Sequence, residues 1–384
     1  MLDDLLKDAA RQLTVCNACR YCEGYCAVFP ALERRTSYDR DAVAYIANLC
    51  HDCRDCYYAC PYTPPHEFAI DLPRVLSDVR VATYTEATPV GALRGAADSV
   101  GRLDFGLTLL GAVAVLAVTL LVSGSALVTA HTGPGAFYAV IPWAFMVVPG
   151  LLLGVWVALA LAVGGVRFYR ATASTPDEWL DPRALAAATW EALTLRYLGG
   201  GGDGCRYPAS RASSARVYLH TLVFGGFALT FVSTALAALE QDVFGVLPPY
   251  PLLSAPVLTG AAGGLAMLAG CGGLLALKAA ADRRTGSETM RGLDVAFIVN
   301  LGLASLTGML LLALRDSSAM GLFLVAHFAT LGTLYLTAPY TKFAHFVYRY
   351  AALVRNRIET RRERDALDAA DHDGELAADP TSSR

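Results

Sequence analysis

The chain has 384 residues, of which 55% are hydrophobic and only 17% are charged, and this composition is too apolar for a soluble domain of that length. The formal net charge of -3 is small and acidic, so nothing in it indicates binding to nucleic acid. The composition predicts a membrane protein in contact with a lipid bilayer.

The first feature in chain order is a cysteine pattern that occurs twice, as "CNACRYCEGYC" at 16–26 and "CHDCRDCYYAC" at 50–60. Each copy, which we call a cysteine comb, reads C-x2-C-x2-C-x3-C, and the two combs contain eight of the ten cysteines. Residues 1–15 have an acidic start and no apolar core of signal-peptide length. We therefore expect this end to stay in the reducing cytoplasm, where thiols bind metals rather than form disulfides.

The comb spacing is typical of chains that bind two 4Fe-4S clusters, because three close cysteines wrap one cluster and the fourth ligates the other. It predicts one cluster on Cys16, Cys19, Cys22 and Cys60, and a second on Cys50, Cys53, Cys56 and Cys26. Zinc is the competing interpretation, but zinc sites usually use two separated C-x2-C pairs. His51 and His66 lie nearby and are expected to be surface or neighbouring groups rather than ligands.

The segments between and after the combs have helical periodicity and no hairpin signal, so residues 1–90 are predicted to form an all-helical two-cluster ferredoxin module. Six apolar runs follow, each about 20 residues or longer as a spanning helix requires, at 104–129, 137–164, 217–238, 256–277, 295–314 and 319–345. Only closed helices satisfy every backbone group in lipid. The predicted fold class is therefore all-α, with a six-helix transmembrane bundle over residues 91–355.

Basic residues are distributed unevenly among the loops between these runs. They concentrate in 167–216, in 278–291 and after residue 342, whereas the other loops carry Arg315 alone. This positive-inside bias predicts that both termini are cytoplasmic.

Residues 167–216 are predicted to be a polar insert on the cytoplasmic side. Asp181 as N-cap and Pro182 at the first helical position predict a helix that ends before Gly199. The following "GGGGDGCRYP" is either a flexible connector or a loop that docks on or shields a cofactor, and both interpretations stay open. Cys205 within it is predicted to be a free thiol. The acidic segment 356–384 is predicted to be a disordered tail.

Three histidines fall within the predicted spans, where an ionisable group is costly and is therefore a functional candidate. His220 and His345 both lie at cytoplasmic ends beside basic residues, so they are predicted to face each other and to ligate one haem b. His327 precedes His345 by 18 residues, so we expect both on one helix face about 27 Å apart. A second haem at His327 stays open, with His131 as its candidate partner. Interhelical hydrogen bonding is the alternative role for these histidines.

The combs, the insert with "YLGGGGDGCRYP", the third span with His220 and the last span ending "PYTKFAHFVYRYAALVR" resemble the tricarballylate/citrate utilisation protein B family, from Cys16 to about Arg357. The resemblance implies a bacterial inner-membrane protein that oxidises the reduced flavin of a soluble FAD-dependent tricarballylate dehydrogenase and passes the electrons to the quinone pool. It also implies two clusters on the comb cysteines and haem b on His220 with His345. Leu219 departs from the histidine pair expected there, which weakens any two-haem arrangement.

No residue resembles a catalytic acid, base or nucleophile, so the sequence predicts an electron carrier whose partner performs the substrate chemistry. One alternative is an electron-transfer subunit of another dehydrogenase or of a heterodisulfide-reductase-like complex. Another is a membrane iron-sulfur redox sensor that needs neither haem nor quinone. A transporter is disfavoured because the sequence shows no internal repeat.

Overall fold

The computed structural model describes residues 2–88, 100–172 and 181–378. Within these ranges the protein is all-α, with fourteen α-helices and no strand, which confirms the predicted fold class. The predicted domain boundary between residues 90 and 91 lies outside the described residues, as do the last six residues of the predicted tail.

The N-terminal domain consists of five helices, α1 (Leu2–Cys19), α2 (Val28–Glu33), α3 (Arg40–Leu49), α4 (Asp55–Ala59) and α5 (Leu72–Ala87). Aspartate N-caps start two of them, since Asp39 accepts from the N–H of Ala42 and Asp71 from the N–H of Arg74. Pro73 occupies the first turn of α5, where a missing N–H is tolerated. The helices share one apolar core, which holds the combs at helix ends and in the adjoining loops; its members include Leu13, Leu32, Tyr45, Ile46 and Leu76.

Within the described ranges, six helices are long and apolar enough to cross a membrane, which suits a membrane protein. They are α6 (Val100–Ser123) with the 3-10 turn Gly124–Val128, α8 (Trp143–Thr172), α10 (Ala215–Asp242), α11 (Ala255–Ala280), α12 (Glu288–Leu314) and α13 (Met320–Thr337) with the 3-10 turn Ala338–Tyr340. Short α7 (Ala136–Val140) joins the first two spans. Many large apolar side chains on these helices are exposed, as expected of surfaces that contact lipid.

Small residues let α10 and α11 pack closely. A Cβ added at Gly263 would lie 2.7 Å from the carbonyl oxygen of Gly226, and one at Gly270 would lie 2.8 Å from that of Leu219. Backbones approach this closely only where side chains are absent. The helix that carries His220 is thereby fixed against its neighbour.

The insert contains α9 (Pro182–Leu193), which begins as expected. Asp181 accepts hydrogen bonds from the N–H groups of Arg183 and Ala184 at 3.0 and 3.2 Å. The helix ends five residues earlier than the apolar pattern predicts, because Leu195 adopts a left-handed conformation with φ 52°.

The last apolar run is not one helix. After α13 ends at Thr337, two 3-10 turns precede α14 (His345–Ala378). Pro339 has no N–H to donate, and Thr341 is extended, so the chain changes direction here. The expectation that His327 and His345 lie on one helix face is therefore wrong, because they belong to different helices.

α14 also occupies most of the predicted disordered tail. Glu359 pairs with Arg35 of the N-terminal domain at 2.5 Å and with Arg355 at 2.9 Å. The prediction of disorder over 356–384 is therefore wrong for residues 356–378. Glu359 and Glu363 pair with Arg35 and Arg34, which are distant in sequence, and composition does not reveal such pairs.

Candidate functional site

Four thiols lie together at the end of α1 and after α4. Cys16 and Cys19 form the last turn of α1, Cys22 lies in the turn beyond it, and Cys60 follows α4 directly. All four line one cavity. We call them the peripheral thiol set, because Cys19 is exposed and the neighbouring Tyr21 is 63% exposed.

The other comb thiols form a second group, the central thiol set, with members Cys26, Cys50, Cys53 and Cys56. The pKa of Cys26 is raised well above its ordinary value, mainly by burial and secondly by the nearby thiols of Cys53 and Cys50. The pKa of Cys56 is raised for the same reasons. Cys22 of the peripheral set contributes to both shifts, so the two sets adjoin. Cys56 of the central set also lines the cavity of the peripheral set, so the eight thiols lie in two adjoining groups, and their division between two clusters stays a prediction.

Each set offers the four sulfur donors that an iron-sulfur cluster uses. Burial, then the thiols of Cys60, Cys22 and Cys19, raises the pKa of Cys16 to about 12. Such thiols are protonated when unliganded and release protons when they bind metal. Among the described residues, no three His, Cys, Asp or Glu side chains converge as the ligands of a single ion would. The choice between two clusters and zinc therefore rests on the comb spacing.

The glycine-rich loop, residues 199–208, docks on the central thiol set. The N–H of Arg206 donates to the carbonyl oxygen of Cys53 at 2.9 Å, and its Nε donates to Oδ1 of Asp55 at 3.1 Å. Of the two interpretations that the sequence leaves open, the structure supports the docking loop.

Glycines permit this docking because the loop backbone touches the first comb. A Cβ at Gly201 would lie 1.2 Å from the carbonyl oxygen of Tyr25. Cys205 of the same loop is 2% exposed and packs in a small apolar cluster with Cys53. It is buried and covers one side of the central set, and its assignment as a free thiol stays a prediction.

His220 and His345 are brought together at the start of α10 and of α14. Their ring centroids are 6.4 Å apart and their planes are inclined by 81°. An iron between two facing ring nitrogens requires a similar separation, given metal–nitrogen bonds of about 2 Å and roughly 1 Å from nitrogen to ring centre. His220 and His345 are therefore the residues that would hold the predicted haem b, which would supply one-electron chemistry there.

The other ring nitrogens support this fit. Nδ1 of His345 donates to the carbonyl oxygen of Lys342 at 2.5 Å, which leaves Nε2 as the candidate ligand atom. The pKa of His345 is held well below its ordinary value, mainly by burial and secondly by the positive charges of Lys342 and Arg349. A lowered pKa favours the neutral ring, which is the form that binds metal. Nδ1 of His220 is buried without a hydrogen-bond partner in the described part of the chain.

His327 is held by α12 instead. Its Nδ1 lies 3.1 Å from the carbonyl oxygen of Ala304 and 3.1 Å from Oγ1 of Thr307, which is the interhelical bonding of the alternative role. Nε2 of His131 lies 3.1 Å from the carbonyl oxygen of Ala126. Each ring has a partner of its own, and a second haem at His327 remains a prediction.

His51, within the second comb, and His66, six residues after it, occupy separate surroundings. Nδ1 of His51 donates to the carbonyl oxygen of Leu49 at 2.7 Å, within the second comb. His66 packs against Tyr62 and Phe68 with ring centroids 5.0 Å from each. Neither position gives a reason to count these rings as ligands.

Sequence reasoning used Arg216 and Arg349 only as basic residues that mark the cytoplasmic ends of their helices. Each lies four residues, about one helical turn, from a candidate haem ligand, Arg216 before His220 and Arg349 after His345. That spacing is the signal that would have found them.

The fold and the thiol sets together define a membrane protein with an iron-sulfur, ferredoxin-like N-terminal domain. Residues 9–86 match the family described as "Citrate utilization protein B Fer4-like domain", and residues 99–366 match "Citrate utilization protein B". The chain is 38% identical over 373 residues to Citrate utilization protein B of Escherichia coli, covering 95% of each chain. This chain belongs to the citrate utilization protein B family, which confirms the resemblance. No solved structure matches it.

Proposed function

We propose that this protein carries electrons from the reduced flavin of a cytoplasmic FAD-dependent dehydrogenase, which acts on tricarballylate or a citrate-related acid, to a membrane quinone. The observation that carries the proposal is the 6.4 Å separation of His220 and His345 beside the thiol sets. The name of the Escherichia coli relative, Citrate utilization protein B, supports the class of acid.

In this proposal the two thiol sets hold two 4Fe-4S clusters, and His220 with His345 holds haem b. When bound, these groups supply the one-electron chemistry that links a two-electron flavin to a two-electron quinone. Oxidising one reduced flavin releases two electrons and two protons, and reducing one quinone to quinol takes up two of each. The residues of this chain would bind the clusters and the haem, shield the clusters with the glycine-rich loop, and set the order in which electrons pass between them.

The proposal places the protein in the bacterial cytoplasmic membrane with both termini in the cytoplasm. Its support is the distribution of Lys and Arg between the loops. A second support is that the N-terminal domain, α9 and α14 share one buried core, so all three lie on the same side of the spanning helices.

The proposal is tested by purifying the protein anaerobically in detergent and measuring its iron, sulfide and haem. We expect about eight cluster irons and one haem per chain. His220→Ala and His345→Ala should each lose haem and keep cluster iron, whereas His327→Ala should keep both. A reduced flavoprotein dehydrogenase should reduce the wild-type protein, and a quinone analogue should reoxidise it.

Other results would point to the alternatives. Clusters without haem in the wild-type protein would contradict the proposal and favour a membrane redox sensor. Clusters and haem that a tricarballylate dehydrogenase does not reduce, but another flavoprotein or a dithiol does, would favour a subunit of a different dehydrogenase or a heterodisulfide-reductase-like complex.

A further inference from the structure

The helix that brings His220 to the site also contacts the central thiol set. Arg216 lies one helical turn before His220. Its Nη1 donates a hydrogen bond to the carbonyl oxygen of Asp52 at 2.6 Å. The N–H of Asp52 in turn donates to Sγ of Cys50 at 3.5 Å. A short series of contacts therefore joins His220 to a thiol of the central set.

α14 makes the equivalent connection from another direction. Arg349 lies one helical turn after His345, and its Nη2 donates to the carbonyl oxygen of Cys50 at 2.8 Å. The same oxygen accepts a hydrogen bond from Nη1 of Arg80 at 2.5 Å, and Arg80 is only 1% exposed. Three guanidinium groups from three helices therefore converge on residues 50–52.

The peripheral thiol set contains the one comb cysteine that is exposed in the described part of the chain, Cys19. Cys19 and Tyr21 are exposed there, so a soluble flavoprotein can approach this set directly. The two sets adjoin through Cys22 and Cys56. The geometry therefore gives the relay one accessible end and one end fixed to the histidine pair.

We propose that the central thiol set holds the cluster from which electrons leave for the histidine pair, and that Arg216 and Arg349 are positioning residues that join it to the pair and favour its reduced state. This inference rests on the proposed function and adds an order to it. One electron at a time passes from reduced flavin to the peripheral cluster. That cluster is then oxidised as the central cluster is reduced.

The direction of the arginine effect follows from charge. A guanidinium group is always charged, and a positive charge stabilises the more negative, reduced state of a cluster. Partly buried charges are screened less than exposed ones, so the interaction is not lost to salt. Removing one guanidinium should shift the equilibrium of an electron between the two clusters about tenfold toward the peripheral cluster. For a one-electron couple, this corresponds to a fall of about 59 mV in the reduction potential of the central cluster.

The test is a redox titration of the purified holoprotein followed by electron paramagnetic resonance of both clusters. Arg216→Gln and Arg349→Gln remove the charge and keep an amide donor, while Arg216→Lys and Arg349→Lys restore the charge. Arg361→Gln is the matched control on α14, since Arg361 pairs with Asp181 and not with a comb. Cys19→Ser identifies the signal of the peripheral cluster.

We expect both Gln variants to lower the reduction potential of the central cluster. The reduction potential of the peripheral cluster should stay unchanged and serves as the internal reference. The Lys variants should recover part of the shift, and Arg361→Gln should show none. Unchanged potentials in both Gln variants, or a shift confined to the signal altered in Cys19→Ser, would overturn the proposal.

If the Gln variants do not assemble, the wild-type and Cys19→Ser proteins decide the order. After rapid mixing with photoreduced free flavin, the peripheral signal should appear before the central one, and the reverse order overturns the proposal. A wild-type protein that lacks clusters or haem would contradict the proposed function itself, so the two failures are distinguishable.

Discussion

Nε of Arg206 donates to Oδ1 of Asp55 at 3.1 Å, and this pair fastens the glycine-rich loop to the central thiol set. Asp55 is 1% exposed, so its carboxylate depends on this partner. Removing one member of a buried ion pair costs about 3–5 kcal/mol. Arg206→Ala should therefore lower the free energy of unfolding by about 3 kcal/mol, and its clusters should bleach faster in air, as followed by visible absorption.

The matched control is Arg284→Ala. Arg284 also pairs with an aspartate, Asp282 at 2.8 Å, but its side chain is 83% exposed. Exposed pairs contribute about 0–1 kcal/mol. An Arg206→Ala protein as stable as Arg284→Ala would contradict the role given to the loop.

Two glycines of the same loop provide a sharper comparison. A Cβ at Gly201 would lie 1.2 Å from the carbonyl oxygen of Tyr25, whereas at Gly199 the nearest atom is Cγ2 of Val217 at 3.8 Å. Gly201→Ala should displace the loop and speed oxygen bleaching of the clusters several-fold. Gly199→Ala should behave as the wild-type protein does, and equal bleaching rates in the two variants would show that the loop does not shield the site.

Cys205 tests whether the eight comb cysteines are sufficient for cluster binding. It lies beside Cys53 but outside the two groups of four. Cys205→Ala should retain the full iron and sulfide content, while Cys53→Ala should lose about half of it. Iron and sulfide analysis of the two proteins decides the point, and equal losses would make Cys205 a ligand.

Glu359 should control how firmly α14 holds the N-terminal domain. Burial alone would raise its pKa, but the hydrogen bonds and charges of Arg35 and Arg355 keep the pKa below its ordinary value. A lowered pKa stabilises the folded state above the unfolded pKa of about 4.3, and this is lost as the pH falls through the folded value. Glu359→Gln should destabilise the protein by about 3 kcal/mol at neutral pH and remove part of this acid dependence.

Glu363→Gln is the control for this prediction, since Glu363 pairs with Arg34 at 2.8 Å but is 53% exposed. It should change stability by less than about 1 kcal/mol. Limited trypsin digestion at the arginines of α14 measures how firmly this helix is held in each variant. The free energy of unfolding, measured between about pH 3 and 7, gives the stability of each variant and its acid dependence. Equal protease resistance in the two proteins would mean that Glu359 does not fasten the helix.

The sequence predicts those features that depend on local pattern. The spacing of the comb cysteines predicts which thiols lie near one another, because the ligands of one cluster are separated by only two or three residues. The length of each apolar run predicts a spanning helix. The break before His345 escapes a criterion based on the length of the apolar run, although Pro339, Thr341 and Lys342 make the turn segment less apolar than α13. The docking of Gly201 on Tyr25 and the pairing of Glu359 with a distant arginine depend on tertiary contacts that composition does not encode.

α14 carries His345 and Arg349 and is the last described helix to leave the ribosome. Both combs and all six described spans are therefore synthesised before His345 and the Arg349 contact with Cys50 can be in place. In the proposed relay, a chain cut short before α14 could load its thiol sets but would have no route onward for an electron. The histidine pair of the proposed relay can therefore form only after α14 has been synthesised.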